Sequence, residues 1–199
     1  MNQSKDKRQI ILDIAARIFL RYGYSKTSLD EIAAEARIAK GTIYYYFPSK
    51  EELYINVVSA QAQAFMEEMI SRLNEIKGFE NRLRFFMQEP VKYVCNEMPM
   101  WLDGLKSIPF NYKEHFERYR KINQDKMLQI LTRIINEGIE EGMVTDRIFV
   151  ERLCEVLNDW FLLGNTAIMV VDFEGLLRII ERDHEVIMQL ILNGILKRG

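Results

Sequence analysis

Apolar residues recur three and four positions apart along almost the whole chain, and the strict alternation of a half-buried strand is nowhere seen. From Gln9 to Tyr22 the residues Ile11, Ile14, Ala15, Ile18, Phe19 and Tyr22 form one stripe that stops at Gly23, with residues 1–8 read as a polar, frayed tail. Leu29, Ile32, Ala33, Ala36, Ile38, Ile43 and Phe47 then mark two short helices. A longer one follows from Ser49 through Leu53, Val57, Phe65, Met69 and Leu73 to Gly78, spanning roughly 40 Å at 1.5 Å per residue. Another begins near Asn111 and Glu114, carries Phe116, Tyr119, Ile122, Met127, Ile130, Leu131, Ile134 and Ile135, and ends between Gly138 and Gly142. Thr145 or Asp146 is placed to cap the next helix, Phe149 to Val171, and Asp172 the last, Phe173 to Leu196. The pattern predicts an all-α chain of about nine helices.

Chemistry concentrates between Thr27 and Leu53. Ser28 with Glu31, and Ser49 with Glu52, have the spacing of capping boxes, in which hydroxyl and carboxylate each satisfy a backbone N–H that the helix leaves orphaned. Between them the apolar set faces a core, which leaves Lys40, Thr42, Tyr44 and Tyr45 outward. Lys40 and Lys50 are compact cations for phosphate, the tyrosines offer hydroxyls and flat rings, and Gly41 allows close backbone approach to a duplex. Pro48 ends the second short helix, and Lys50 then falls in the first turn of the next, where free N–H groups also favour an anion.

This ordered set resembles the TetR family of bacterial regulators. The residues that carry the resemblance are Gly23-Tyr24, Thr27-Ser28, Ile32-Ala33, Ala36, the run from Lys40 to Phe47 and the run from Ser49 to Leu53. The resemblance implies a three-helix DNA-binding domain with a helix-turn-helix, residues 1–49, and a C-terminal helical domain for ligand binding and dimerisation, residues 50–199. It also implies DNA contact at Thr27, Lys40, Gly41, Thr42, Tyr44, Tyr45 and Lys50; Ser28, Arg37 and Ala39 complete the candidate interface. The chain departs from the family pattern twice. Arg37 stands where the turn usually has Gly, and Ala39 where a Ser usually caps the recognition helix; each change costs about 1 kcal/mol.

Charge supports the division. The net charge is −2, but residues 1–50 hold nine Lys and Arg against five Asp and Glu, so a basic front is joined to an acidic body. Cys95 and Cys154 have no CxxC or partner pattern and read as free thiols of a reducing compartment. The apolar run at Ile10 to Leu12 is cut by Asp13, and the run from Trp160 to Val171 falls short of the ~20 residues of a membrane span, so a cytoplasmic protein without a membrane partner is expected. Glu181 and His184 have the spacing of half a carboxylate-bridged metal site, but His115, the only other histidine, has Tyr112 where the second half needs Glu. With no phosphate loop or nucleophile elbow either, no catalytic residue, metal or cofactor is expected.

Two features of the body remain. Pro90 sits inside a helical pattern, and Pro99 and Pro109 bracket a short helix with Trp101 and Leu105. A helix kinked or interrupted in this way leaves gaps. Phe86, Glu89, Tyr93, Trp101, Leu105, Phe110, Tyr119, Asn158 and Phe161 are the candidate lining of a cavity for an apolar or aromatic effector, either a lipophilic cation or an extended acyl compound, the alternative being that the aromatic stripe is plain core. The last two helices are apolar on more than one face, which calls for cover by a second copy. Leu153, Leu157, Trp160, Gly164, Ile168, Ile187, Leu190 and Ile191 are the candidate interface. The function expected is that of a homodimeric transcriptional regulator, a repressor released from a near-palindromic operator in double-stranded DNA by a small molecule.

Overall fold

The computed structural model describes residues 2–96, 107–145, 149–161 and 173–196. Eight α-helices cover them: α1 Asn2–Tyr22, α2 Leu29–Glu35, α3 Lys40–Tyr46, α4 Lys50–Glu75, α5 Phe79–Asn96, α6 Phe110–Glu140, α7 Val150–Phe161 and α8 Phe173–Ile195. Among the described residues there is no strand, and Val144 makes an isolated antiparallel bridge with Leu196. The chain is therefore all-α. The expected short helix around Trp101 lies outside the described residues.

The first helix starts seven residues earlier than its apolar stripe. Asn2 to Arg8 contain neither Gly nor Pro, so extending a helix already nucleated by the stripe costs little. Its other end corrects the reading of Tyr22. Gly23, at φ +80, turns the chain so that Tyr24 swings back into the core at 7% exposure and Tyr22 is left 51% exposed. The start of α7 also differs from the Thr145 expectation. The Thr145 N–H donates to the carbonyl of Ile195, which ties that residue to the end of α8, and the helix opens at Val150; Asp146 and Asp172 lie outside the described residues. Pro90 does not end α5, which runs on to Asn96.

Of the described residues, 2–64 with 107–120 form one compact unit and 65–96 with those from 121 onward another, so both α4 and α6 contribute to each. In the first unit Ile11, Ala15 and Phe19 of α1, Leu29, Ile32 and Ala33 of α2, Ile43 and Phe47 at α3, and Leu53, Tyr54 and Val57 of α4 are buried. Tyr54 meets Phe19 and Tyr24 edge-on, with ring centroids 5.0 and 4.8 Å apart. In the second unit Met66, Met69 and Leu73 of α4, Phe79, Leu83, Phe86 and Met87 of α5, Met127, Leu131, Ile134 and Ile135 of α6, Cys154 and Leu157 of α7, and Leu192 and Ile195 of α8 make one core. Gly138 is required there, since a Cβ would stand 2.4 Å from the Phe79 ring. Ile122, placed inside by its spacing, is 47% exposed. Among the described residues no helix is long and apolar enough to cross a membrane.

Candidate functional site

The helix-turn-helix is held by local bonds. Ser28 Oγ accepts the Glu31 N–H and the Ser28 N–H donates to Glu31 Oε2 at 2.7 Å, a complete capping box on α2. The turn to α3 runs through Arg37 at φ 54, a left-handed conformation that disfavours any side chain. Ala39 caps α3 from an extended conformation with no side-chain bond. The recognition helix therefore lacks both the glycine turn and the hydroxyl cap, and depends on burial of Ile43 and Phe47, exposed by 0% and 1%, to keep its place.

From that anchored face the others project outward. Tyr44 is 48% and Tyr45 81% exposed, large values for aromatic residues. Gly41 is open, with nothing within 4 Å of a Cβ built on it. Thr42 is half-buried, and Arg37, Ala39 and Lys40 are exposed. Thr27 differs: it is buried, and its hydroxyl donates to the Gly23 carbonyl at 2.8 Å. It fixes the turn into α2, and that hydroxyl proton is already committed.

Three pairings were not visible in the sequence. Lys40 Nζ lies 2.8 Å from Asp30 Oδ2, a pair that joins the first turn of α2 to the start of α3, and hydrogen bonding to Asp30 holds the ammonium above its ordinary pKa. Lys50 Nζ lies 4.3 Å from the centre of the Tyr24 ring, where burial pulls its pKa down. The Tyr24 hydroxyl donates to Glu51 Oε1 at 2.9 Å, and burial, then that bond, raise the phenol's pKa. The Lys50 ammonium is thus placed by a ring whose own position is set from the same helix turn. On the other side, Arg8 donates to Asn56 Oδ1 at 2.6 Å with its guanidinium over the Phe47 ring, which ties α1 to the end of α3. Residues ten, twenty-six and forty-eight apart leave no periodic trace, so sequence reasoning missed all three pairings.

The candidate pocket residues fare unevenly. Phe86 is 1% exposed within the second core, and Tyr93 stacks on Phe65 at 4.1 Å between ring centroids. The Glu89 carboxylate is shielded and already paired, with Arg72 at 2.9 Å and Lys92 at 2.8 Å. Trp101 and Leu105 lie outside the described residues, as do the side chains of Phe110, Tyr119, Asn158 and Phe161.

Of the candidate dimer residues, Leu157 is 5% exposed because it joins Cys154 in the protomer's own core, and in this it departs from the expectation of a free face. Leu153, Ile187 and Ile191 are partly buried against that core. Leu190 is 67% exposed, and Val186 of the same helix, at 61%, and Phe149 and Val156 at α7, at 84% and 39%, are further uncovered apolar residues. Gly164 and Ile168, and the side chain of Trp160, lie outside the described residues. Among those described, no group of three His, Cys, Asp or Glu side chains converges on a common point; the side chains of Glu181 and His184 are not among them.

Residues 11–57 match the family model for bacterial regulatory proteins, tetR family. The chain is 26% identical over 148 residues to the fatty acid metabolism regulator protein of Bacillus subtilis, covering 73% of this chain and 75% of that one. Its fold is similar to that of a TetR transcription regulator from Haloarcula marismortui, with a TM-score of 0.70 at 21% identity over 97% of this chain and all of the other. It is also similar to FadR from Bacillus subtilis in complex with stearoyl-CoA, with a TM-score of 0.57 at 19% identity over 94% and 98% of the two chains.

Proposed function

The chain belongs to the TetR family of DNA-binding transcriptional regulators, and from that premise we propose that it is a homodimeric cytoplasmic repressor released from a near-palindromic operator by an acyl effector. The observation that carries the DNA reading is the exposure of Tyr44 and Tyr45 on a helix whose opposite face, Ile43 and Phe47, is wholly buried. Residues 1–49 are the DNA-binding domain. Ser28, Arg37, Ala39, Lys40, Gly41, Thr42, Tyr44, Tyr45 and Lys50 form its surface, with Thr27 behind them. Arg37 and Lys50 serve as phosphate contacts, and Tyr44 reaches base edges or thymine methyls.

Residues 50–199 take the effector and the second subunit. A cation is disfavoured as effector, because Glu89, the acidic residue of the candidate lining, is already paired with Arg72 and Lys92. An acyl compound fits that stripe, and the named role of the Bacillus subtilis relative and the stearoyl-CoA held by FadR support the same class. The α4 helix carries Lys50 in its first turn and Met66, Met69 and Leu73 in the second core. An effector that prefers a different setting of α4 weakens DNA binding by the factor by which DNA weakens the effector.

Selection from a random duplex library tests the reading. It should return a site with two half-sites centred about 34 Å apart, or a multiple of that, to which binding weakens steeply with salt. Stearoyl-CoA added to the complex should release it. Recovery of no preferred sequence would defeat the proposal, and a stable complex at saturating stearoyl-CoA would defeat its effector class.

A further inference from the structure

The pair between Asp30 and Lys40 is out of place if its purpose is stability. Both side chains are well exposed, 69% and 44%, and an exposed pair of this kind contributes little to folding because water screens it and two long side chains must be ordered. Its effect on the surface is larger. Lys40 opens the recognition helix and shares a face with Tyr44 one helical turn on, so the carboxylate sits beside the residues proposed to meet DNA. Arg37, exposed two residues before the helix cap, makes no ion pair among the described residues.

Resting on the DNA-binding reading above, we propose that Asp30 is a specificity-determining residue that withholds Lys40 from indiscriminate phosphate contact. Non-specific binding is almost wholly electrostatic and offers Lys40 only phosphate oxygens. Asp30 offers it a carboxylate oxygen held in place at 2.8 Å, while its own charge repels the backbone. Lys40 leaves the carboxylate only where the duplex presents a better acceptor, such as the paired O6 and N7 edge of a guanine at the register fixed by Tyr44. The discrimination arises from a repulsive element set against the wrong partner.

The test is Asp30→Asn, measured on the selected operator and on a scrambled duplex of the same length across a salt series. Affinity for the scrambled duplex should rise about fivefold, the worth of one unit charge a few ångströms away in water, and the log–log salt slope should steepen by up to about 0.9. Operator affinity should change less, so the ratio of the two falls. Glu35→Gln, which removes the same charge from exposed α2 surface, should leave that ratio unchanged. In a Lys40→Ala background, Asp30→Asn should no longer alter the ratio, because the carboxylate acts through the lysine. Equal gains on both duplexes, or the same loss of ratio with and without Lys40, would overturn the proposal. If wild type itself shows no preference between the duplexes, the failure belongs to the DNA-binding reading instead.

Discussion

Lys50 meets two opposing demands. Its ammonium is partly desolvated at the start of α4 and its pKa is lowered by that burial, while the Tyr24 ring face and the nearby charges of Glu51 and Glu31 favour the charged form. A charge held in this way loses little freedom when a phosphate arrives at the same helix terminus. Tyr44 plays the complementary part, a half-exposed ring on a buried scaffold. Lys50→Ala and Tyr44→Ala should each weaken operator binding by at least about tenfold, the effect of losing ~1.4 kcal/mol. They should differ in kind. Lys50→Ala lowers affinity for all duplexes and flattens the salt slope by about 0.9, whereas Tyr44→Ala relaxes sequence preference at an unchanged slope. Fluorescence anisotropy on operator and scrambled DNA reads both. The outward face of Tyr44 and the place of Lys50 in the first turn of α4 were legible in the sequence; Tyr24 as the holder of Lys50 was not, since nothing local announces a contact across twenty-six residues.

At the scale of the element, α3 is a seven-residue helix that propensity alone would not sustain. It begins without a side-chain cap, follows a strained Arg37, and contains Gly41 in its first turn. Two substitutions separate stability from reading. Ala39→Ser should supply the missing cap and raise the melting temperature by about 2–4 °C, the shift expected for ~1 kcal/mol in a chain of this size. Gly41→Ala has room for its methyl and should stabilise the helix by about 0.5–1 kcal/mol, while lowering operator affinity because the methyl stands between backbone and duplex. Thermal melts and binding titrations of the same samples decide the matter. If Gly41→Ala bound the operator normally, the backbone there would not approach DNA. The caps at Ser28 and Ser49 follow the sequence closely, with the Glu52 N–H donating to Ser49 Oγ at 3.1 Å, because a capping bond involves residues three apart. The cap expected at Thr145 does not: α7 opens at Val150, and the Thr145 N–H instead reaches the Ile195 carbonyl, fifty residues away.

For the whole molecule, the question is what covers Leu190 and Val186. Both are more than half exposed on α8, while Leu192 and Ile195 of the same helix are buried in the protomer core. A helix buried on one side and apolar on another is the arrangement a second copy completes. Leu190→Glu combined with Val186→Glu should convert the protein to monomer at micromolar concentration in analytical ultracentrifugation. Its melting should stay cooperative and its operator affinity should fall by at least about a hundredfold, since one half-site then binds without the effective concentration supplied by its partner. A double variant that remained a dimer would move the interface elsewhere.

The periodic spacing of apolar residues alone determined an all-helical chain, and the run from Thr27 to Leu53 determined its reading unit, because helix periodicity, caps and turns are relations among residues a few positions apart. Tertiary structure decided what each face was for. It sent Tyr24 inward and Tyr22 out, gave Leu157 to the protomer and left Leu190 uncovered, and set Asp30 against Lys40 and Arg72 against Glu89. An apolar stripe fixes only that a surface must be buried. Which neighbour buries it, and which charge neutralises which, depends on contacts between residues far apart in sequence, and these exist only once the chain has folded.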